Sequence, residues 1–586
     1  MSYAEYRDAG GVDLVACRGA EEDVEDYTDS NETWGEDIDE VNADVEESDE
    51  VIFRDDRTGK PLVTEKVIAA RTEELKELDK RVWKEADVKE CWDRKGRGPI
   101  GVRWVDVDEG FGVHRSRLVA KDFKPRSKIG DKEGLFAATP PLELVKTLIV
   151  KAAKCRRRGE DARKVMFLDI SKAHLYAPIQ DEEYVEYPPE KRKEGKCAKL
   201  IFTLYGMRTA AGNWEKEYST TLTEAGFSAG KATVVAFYHK QRDVRIVVHG
   251  DDFVVEGTHA NLNWVETILA AKYITKVRGI LGPQPGDQKS IDILGRVIEW
   301  RPNELWWEAD PRHVEKIIDE MGLKDGNGTA APGLKDQEQE GDETQLAGDD
   351  LRRYRSVVAR ANFISQDRPD IRYTVKELCR SMSKPTMGSF RRLKRLARYL
   401  KSHPRMVQKI KFGKELEEDG VRVMVDSDFA GCVETRKSTN GGCILVGDVC
   451  VKSWSSTQSV VALSSGEAEY YSAIKGASEG LGFIAACADL CIWGDEVGKL
   501  QVLTDSSASK GICQRTGLGK VRHIDVAYLW LQDVVRRGRV AMKKIPGTAN
   551  LADLLTKYLS GTKTLEITSL LGFYSEDGRS DLVDRL

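Results

Sequence analysis

Arg245-Ile-Val-Val-His-Gly-Asp-Asp-Phe-Val-Val-Glu256 sets two short runs of β-branched residues on either side of a tight step that carries two carboxylates, Asp251 and Asp252. Runs of this kind suit buried pleated strands, and a glycine between them suits a turn. Burying the flanking runs would fix the turn and aim both carboxylates before any ligand arrives. Two acids held this way predict a site for divalent metal ions.

A third acid lies 82 residues upstream of Asp251. Lys164-Val-Met-Phe-Leu-Asp-Ile170 reads as a buried strand with Asp169 near its end, where an apolar setting makes an unpaired charge costly and calls for a cation. The interval is long enough for a helical excursion that returns to a neighbouring strand. Three carboxylates converging on two divalent ions about 3.5–4 Å apart suit an in-line displacement at phosphorus, which needs little beyond that geometry.

The rest of the chain frames these acids. With 586 residues it exceeds one core and predicts several domains. It is 40% hydrophobic and 32% charged, and no apolar run approaches the roughly 18 residues of a membrane span. No secretory signal is visible, and the 11 cysteines include no Cys-x-x-Cys pair. Reduced thiols in an intracellular compartment, cytoplasm or nucleus, are expected. The net charge of −6 conceals a division: residues 1–50 hold 19 acids against Arg7 and Arg18, leaving 89 basic and 78 acidic residues elsewhere. The acidic stretch, taken as 1–55, reads as disordered, and the basic remainder permits a polyanionic partner.

Between Leu75 and Leu323 short β-type runs alternate with helical stretches, as in an α+β unit. Residues 325–350 have linker composition. Phe390-Arg-Arg-Leu-Lys-Arg-Leu-Ala-Arg-Tyr-Leu-Lys401 spaces Leu393, Leu396, Ala397 and Leu400 as one helical stripe among six basic residues. That face suits either phosphate contact or plain solvation. From Val421 a second, α/β pattern begins: three strands, a helix starting at Ser464-Ser-Gly-Glu467, a strand Leu500-Gln-Val-Leu-Thr504 and a helix. Four more acids sit on separate elements of it, namely Asp426, Glu469, Asp505 and Asp553. Asp428 is a decoy beside Asp426.

Several motifs in order resemble those of copia-type retrotransposon Pol polyproteins. Arg115-Ser-Arg-Leu-Val-Ala-Lys-Asp-Phe123 is similar to the fingers motif of their reverse transcriptases. Val165-Met-Phe-Leu-Asp-Ile-Ser-Lys-Ala-His-Leu-Tyr176, Lys199-Leu-Ile-Phe-Thr-Leu-Tyr-Gly-Met-Arg208 with Trp214, and His249-Gly-Asp-Asp252 are similar to successive palm motifs. Arg353-Tyr-Arg-Ser356 through Arg368-Pro-Asp-Ile-Arg-Tyr373 resembles the connection that follows. Arg436-Lys-Ser-Thr439, Ser453-Trp-Ser-Ser456, Ala468-Glu-Tyr470 and His523-Ile-Asp525 resemble the ribonuclease H (RNase H) domain of the same elements.

The resemblance implies an α+β palm and fingers reverse transcriptase over 75–324, a linker over 325–350 and thumb or connection helices over 351–415. An α/β RNase H-like domain over 420–560 and an appendage over 561–586 complete the division. It implies RNA-directed DNA polymerase and hybrid-specific ribonuclease activities, two Mg2+ or Mn2+ ions per site, and as partners an RNA template, a DNA primer, deoxynucleoside triphosphates and RNA/DNA hybrid. Asp169, Asp251 and Asp252 would hold one pair of ions, and Asp426, Glu469, Asp505 and Asp553 the other. Arg117 and Lys121 would face the triphosphate, Gly206 would let backbone approach template or nucleotide, and His523 would assist proton transfer or serve structure. His249-Gly250 replaces the family's usual Tyr-Val, so a loosened turn is expected. His174 replaces an aromatic that excludes a 2′-hydroxyl, so weaker discrimination against ribonucleotides is expected. Protease, integrase zinc-site and nucleocapsid patterns are not found, so the chain reads as a partial element, a processed product or a gene model cut from a longer polyprotein. Two other outcomes stay open: a non-catalytic nucleic-acid-binding remnant, or a protein in which only RNase H works.

Overall fold

The computed structural model describes residues 52–578 apart from 111, 123–136, 336–341, 417–419 and 494–498. The segment expected to be disordered thus falls, up to residue 51, outside the described residues. The first elements are α1 (Thr64–Glu77), β1 (Trp83–Asp87), α2 (Val88–Lys95) and the hairpin β2 (Val102–Gly110) with β3 (Val113–Ala120). After α3 (Leu142–Lys154) come β4 (Lys164–Ile170), β5 (Tyr184–Val185), β6 (Lys196–Leu200) and α4 (Ala210–Glu224). Strands β7 (Ser228–Ala229), β8 (Ala236–His239), β9 (Val244–His249) and β10 (Asp252–Gly257) follow, then α5 (His259–Ala270) and β11 (Thr275–Leu281).

These elements build an antiparallel six-stranded sheet in the order β11-β4-β10-β9-β8-β7. The alternation of β4, β9 and β10 puts Met166, Leu168, Ile246, Val248, Phe253 and Val255 under α4 and α5, while Val165, Phe167, Val247 and Val254 face α3. A sheet covered on both faces reads as continuous apolar runs, which is how the opening stretch reads.

The chain continues through β12 (Ser290–Ile293), β13 (Arg296–Trp300), β14 (Glu304–Ala309), α6 (Arg312–Glu320), α7 (Gly348–Ser365), α8 (Pro369–Cys379), α9 (Met387–Ser402) and β15 (Arg405–Lys411). The expected stripe holds in α9, where Leu393, Leu396, Ala397 and Leu400 are buried against α6, α7 and α8. Its basic side keeps Arg391 and Lys394 exposed and also makes contacts within the chain. Arg391 pairs with Asp342 at 2.8 Å, Arg398 donates to the Asn327 carbonyl at 2.8 Å, and Lys401 donates to the Leu323 carbonyl at 3.0 Å. Half of the basic residues therefore fasten the polar segment that precedes α7.

The last unit comprises β16 (Val421–Ser427), β17 (Thr439–Val446), β18 (Val449–Thr457), α10 (Ser465–Asp489), β19 (Leu500–Thr504), α11 (Ser507–Gln514), α12 (Trp530–Arg536) and β20 (Val540–Lys544). Its sheet runs β18-β17-β16-β19-β20, antiparallel among the first three and parallel from β16 through β19 to β20. Finally α13 (Gly561–Leu570) and β21 (Phe573–Glu576) return the chain to β15, completing the sheet β12-β13-β14-β15-β21. Among the described residues no helix is long and apolar enough to cross a membrane. The ten cysteines described are all free.

Helix α3 joins the units. It packs on β4 and β10 on one side and on α10 and β18 on the other, so Leu144, Leu148 and Ile149 share one core with Val247, Ile444 and Cys487. The ends of the opening stretch serve the same contact. Arg245 and Glu256 face each other across β9 and β10, and both are buried. Arg245 donates to Glu256 at 3.0 Å and to the carbonyls of Leu490 at 2.7 Å and Cys491 at 3.2 Å, closing the C-terminal end of α10. Asp489 accepts from the backbone N–H groups of Lys231, Ala232 and Thr233 at 2.8–2.9 Å.

Candidate active sites

Strands β9 and β10 form a two-residue hairpin: His249 pairs with Asp252, and Gly250 and Asp251 make the turn. Gly250 has φ +62°, while Asp251 keeps a negative φ. This sign pattern is that of a type II′ turn, whose first central position favours glycine and whose twist matches the strands. Glycine therefore sets the turn, contrary to the expected loosening. Trp214 donates its indole N–H to the Gly250 carbonyl at 2.8 Å, and the Ile170 N–H donates to the Asp251 carbonyl at 3.1 Å, so both turn peptides are tied down.

The neighbouring pairing places Asp169 of β4 directly opposite Asp252 of β10. Cross-strand neighbours lie about 4.5–5.5 Å apart, close enough to share ions. Burial pushes the Asp169 carboxyl above its ordinary value, and the Asp251 charge adds to this. Burial and then Asp251 push Asp252 up to about 6, against the pull of Arg278. Arg278 is the extra residue of a bulge in β11 and reaches Asp252 at 3.4 Å. Sequence reading missed it because a bulge breaks the alternation that would place it.

The other residues expected at this site lie on β3 and the segment around Tyr205. Arg117 sits on β3 with its guanidinium 4.9 Å from the Tyr205 ring centre. Lys121 is exposed just beyond β3. His174 meets Tyr205 edge to face at 5.4 Å; its Nδ1 is buried without a partner, and burial lowers its pKa, favouring the neutral ring. Gly206 has φ +79°, and a Cβ there would stand 2.3 Å from Val119 Cγ1 and 2.4 Å from the Ala120 carbonyl oxygen. Its close approach is to the protein's own β3 backbone, where the Ala120 N–H donates to the Tyr205 carbonyl at 2.7 Å.

The second group forms at the carboxyl ends of β16 and β19. Asp426 ends the apolar run of β16, Asp505 follows β19, and Asp553 lies in a 3-10 turn, Leu551–Leu555. These three offer oxygens within 4.8 Å of one another. Glu469 enters from the first turns of α10; its Oε2 is buried without a partner, and burial, then Asp426 and Asp505, push its carboxyl up to about 8. A buried, unpartnered carboxyl oxygen beside three more acids fits a site for divalent cations.

The Asn550–Lys557 segment contributes more than the acid expected of it. Asn550 donates to the Val425 carbonyl at 3.0 Å and to Asp505 at 3.5 Å, Thr556 donates to Asp426, and Lys557 pairs with Asp553 at 2.9 Å. Only the four-residue interval from Asp553 to Lys557 signalled any of this in sequence. Asp428 accepts from the Thr439 backbone N–H at 2.5 Å, a task separate from the acid group. Ser464 caps α10 by accepting from Glu467 N, but the Glu467 carboxylate turns to Leu463 N at 3.1 Å, Tyr471 at 2.9 Å and His523 at 2.9 Å. His523 thus contacts Glu467.

Comparison with known proteins defines the class first. A family described as reverse transcriptase (RNA-dependent DNA polymerase) matches residues 87–286, a stretch that contains Asp169, Asp251 and Asp252 but none of the second group. Over 510 residues the chain is 23% identical to the retrovirus-related Pol polyprotein from transposon TNT 1-94 of Nicotiana tabacum, covering 82% of this chain and 36% of the polyprotein. Over 492 residues it is 26% identical to that from transposon RE1 of Arabidopsis thaliana, covering 81% and 32% respectively. An uncharacterized mitochondrial protein of Arabidopsis thaliana is 32% identical over 183 residues, which cover 30% of this chain and 72% of that protein. Residues 87–286 therefore form a domain of the reverse transcriptase family, in a chain similar to retrovirus-related Pol polyproteins of copia-type transposons. It spans about a third of the length of the polyproteins it matches.

Proposed function

We propose that the chain is an RNA-directed DNA polymerase with a second centre that cleaves the RNA strand of RNA/DNA hybrids. The pairing of Asp169 with Asp252 beside the Asp251 turn, inside the stretch matched by the reverse transcriptase family, carries this reading. Asp169, Asp251 and Asp252 would hold two Mg2+ or Mn2+ ions, and Asp426, Glu469, Asp505 and Asp553 two more. When bound, such ions lower the pKa of an attacking oxygen and offset charge on phosphate. The hairpin aims its carboxylates at the primer end, Arg117 and Lys121 face the triphosphate, and neutral His174 packs beside the sugar. His174 in place of a larger aromatic relaxes exclusion of ribonucleotides. Residues 75–324 act as fingers and palm, 325–350 as linker, 351–415 as thumb or connection and 420–560 as the RNase H-like domain.

Primer extension on an RNA template and cleavage of an RNA/DNA hybrid, each with Mg2+, test the assignment. Asp251→Asn is expected to abolish extension and spare cleavage, and Asp505→Asn to do the reverse. Extension that survives Asp251→Asn overturns the polymerase assignment, and cleavage that survives Asp505→Asn overturns the other. One observation favours a second reading in which only the C-terminal centre works. Among the described residues, Asp426, Asp505 and Asp553 converge within 4.8 Å, and the palm acids are not gathered as tightly. Cleavage without extension in the unaltered chain would select it.

A further inference from the structure

Lys557 stands where an ion of the second centre would be expected to neutralise charge. Its Nζ lies 2.9 Å from Asp553 Oδ1 and 3.6 Å from Asp426 Oδ2. Thr556, the preceding residue, donates to that same Asp426 oxygen, so one short segment holds both carboxylates from one side. The Lys557 side chain is 43% exposed, so its ammonium reaches the acids from the solvent side while Glu469 Oε2 lies buried without a partner. Asp505 is held differently, by Asn550 at 3.5 Å.

Asp426, Asp505 and Asp553, with oxygens within 4.8 Å of one another, repel one another, and a single ammonium joined to two of them relieves part of that repulsion. Any divalent ion that takes oxygens from both Asp426 and Asp553 competes for the oxygens Lys557 now contacts. A flexible, partly exposed lysine can leave toward solvent without disturbing the core. We propose that Lys557 is a resident counter-ion of the C-terminal centre: it holds Asp426 and Asp553 together without metal and is displaced when metal binds. The proposal rests on reading this acid group as a metal centre. It predicts a residue that weakens metal binding while supporting the metal-free fold, the opposite of what a ligand does.

The test is Mn2+ binding to the full chain, followed by electron paramagnetic resonance. An Asp251→Asn, Asp252→Asn background removes the contribution of the palm acids. On that background Lys557→Met is expected to bind Mn2+ about tenfold more tightly, equivalent to about 1.4 kcal/mol. Its melting temperature without metal should fall and recover on adding Mn2+. Lys557→Gln, which keeps a polar head without the charge, should behave likewise and guards against a folding defect peculiar to methionine. Unchanged or weaker Mn2+ binding in both variants, with binding still abolished by Asp505→Asn, overturns the counter-ion role and leaves the metal centre standing. Mn2+ binding that is indifferent to Asp505→Asn overturns the metal centre and the proposal together.

Discussion

Replacing Glu469 by glutamine should remove the pH dependence of stability contributed by this position. The folded protein raises the Glu469 carboxyl from an ordinary 4.5 to about 8, chiefly by burial and then by Asp426 and Asp505. As pH climbs above 4.5 the unfolded chain releases this proton while the folded chain keeps it. Stability therefore falls between about pH 4.5 and 8 and is level above that range. At about 1.4 kcal/mol per pH unit the full effect would be on the order of 4–5 kcal/mol for an isolated group. Water entry and relaxation among the neighbouring acids reduce this to about 2–4 kcal/mol.

Glutamine occupies a similar volume and does not ionise, so Glu469→Gln removes the decline. Urea unfolding in the presence of a chelator, at pH 5, 7 and 9, provides the measurement. The variant should match or fall below the unaltered protein at pH 5 and exceed it by about 2–4 kcal/mol at pH 9. Saturating Mg2+ should erase that advantage, because the ion gives the carboxylate a partner that an amide replaces poorly. A difference between the two proteins that stays constant from pH 5 to 9 would refute the burial argument.

Gly250→Ala tests the turn: nothing lies within 4 Å of the added Cβ, so the cost is the left-handed backbone alone, about 1–2 kcal/mol in urea unfolding. A neutral effect would mean that the turn relaxes freely. Gly206→Ala adds a clash with Val119 and the Ala120 carbonyl to a positive φ and should cost more, about 2–4 kcal/mol, read in the same way. Arg245→Met leaves the buried Glu256 with Arg163 as its remaining arginine partner and strips two carbonyl contacts from the end of α10. A loss of about 3–5 kcal/mol is expected, with faster hydrogen exchange at residues 486–491. Unchanged exchange there would show that the six-stranded sheet does not hold α10.

Periodicity made the paired carboxylates readable. Strands of period two with apolar neighbours on both faces left Asp169, Asp251, Asp252 and Asp426 as exceptions, and an acid in such a run stands out because burying it alone is unfavourable. Features that depend on a bulge, a turn or a long-range contact left no comparable mark. Arg278 reaches Asp252 from a bulge, and Gly250 looked like a weakness until its φ identified the turn. The basic side of α9 offers no hint in sequence that Lys401 and Arg398 hold the carbonyls of Leu323 and Asn327 and that Arg391 pairs with Asp342. Helix α3 is similar: its lysines Lys146, Lys151 and Lys154 argue for solvent, yet all three are buried in the wedge between the sheets.

The Arg245–Glu256 pair connects these two kinds of information. Its residues bound the stretch that announces the acid turn, and the strand register makes them a cross-strand ion pair. In the folded chain Arg245 also closes α10, whose opposite end carries Glu469 into the second acid group. One helix of 25 residues thus runs from a side chain of the six-stranded sheet to the second acid group, and at about 1.5 Å per residue it spans on the order of 37 Å. Because a packed helix transmits position well, the hairpin that orders Asp251 also anchors the element that positions Glu469.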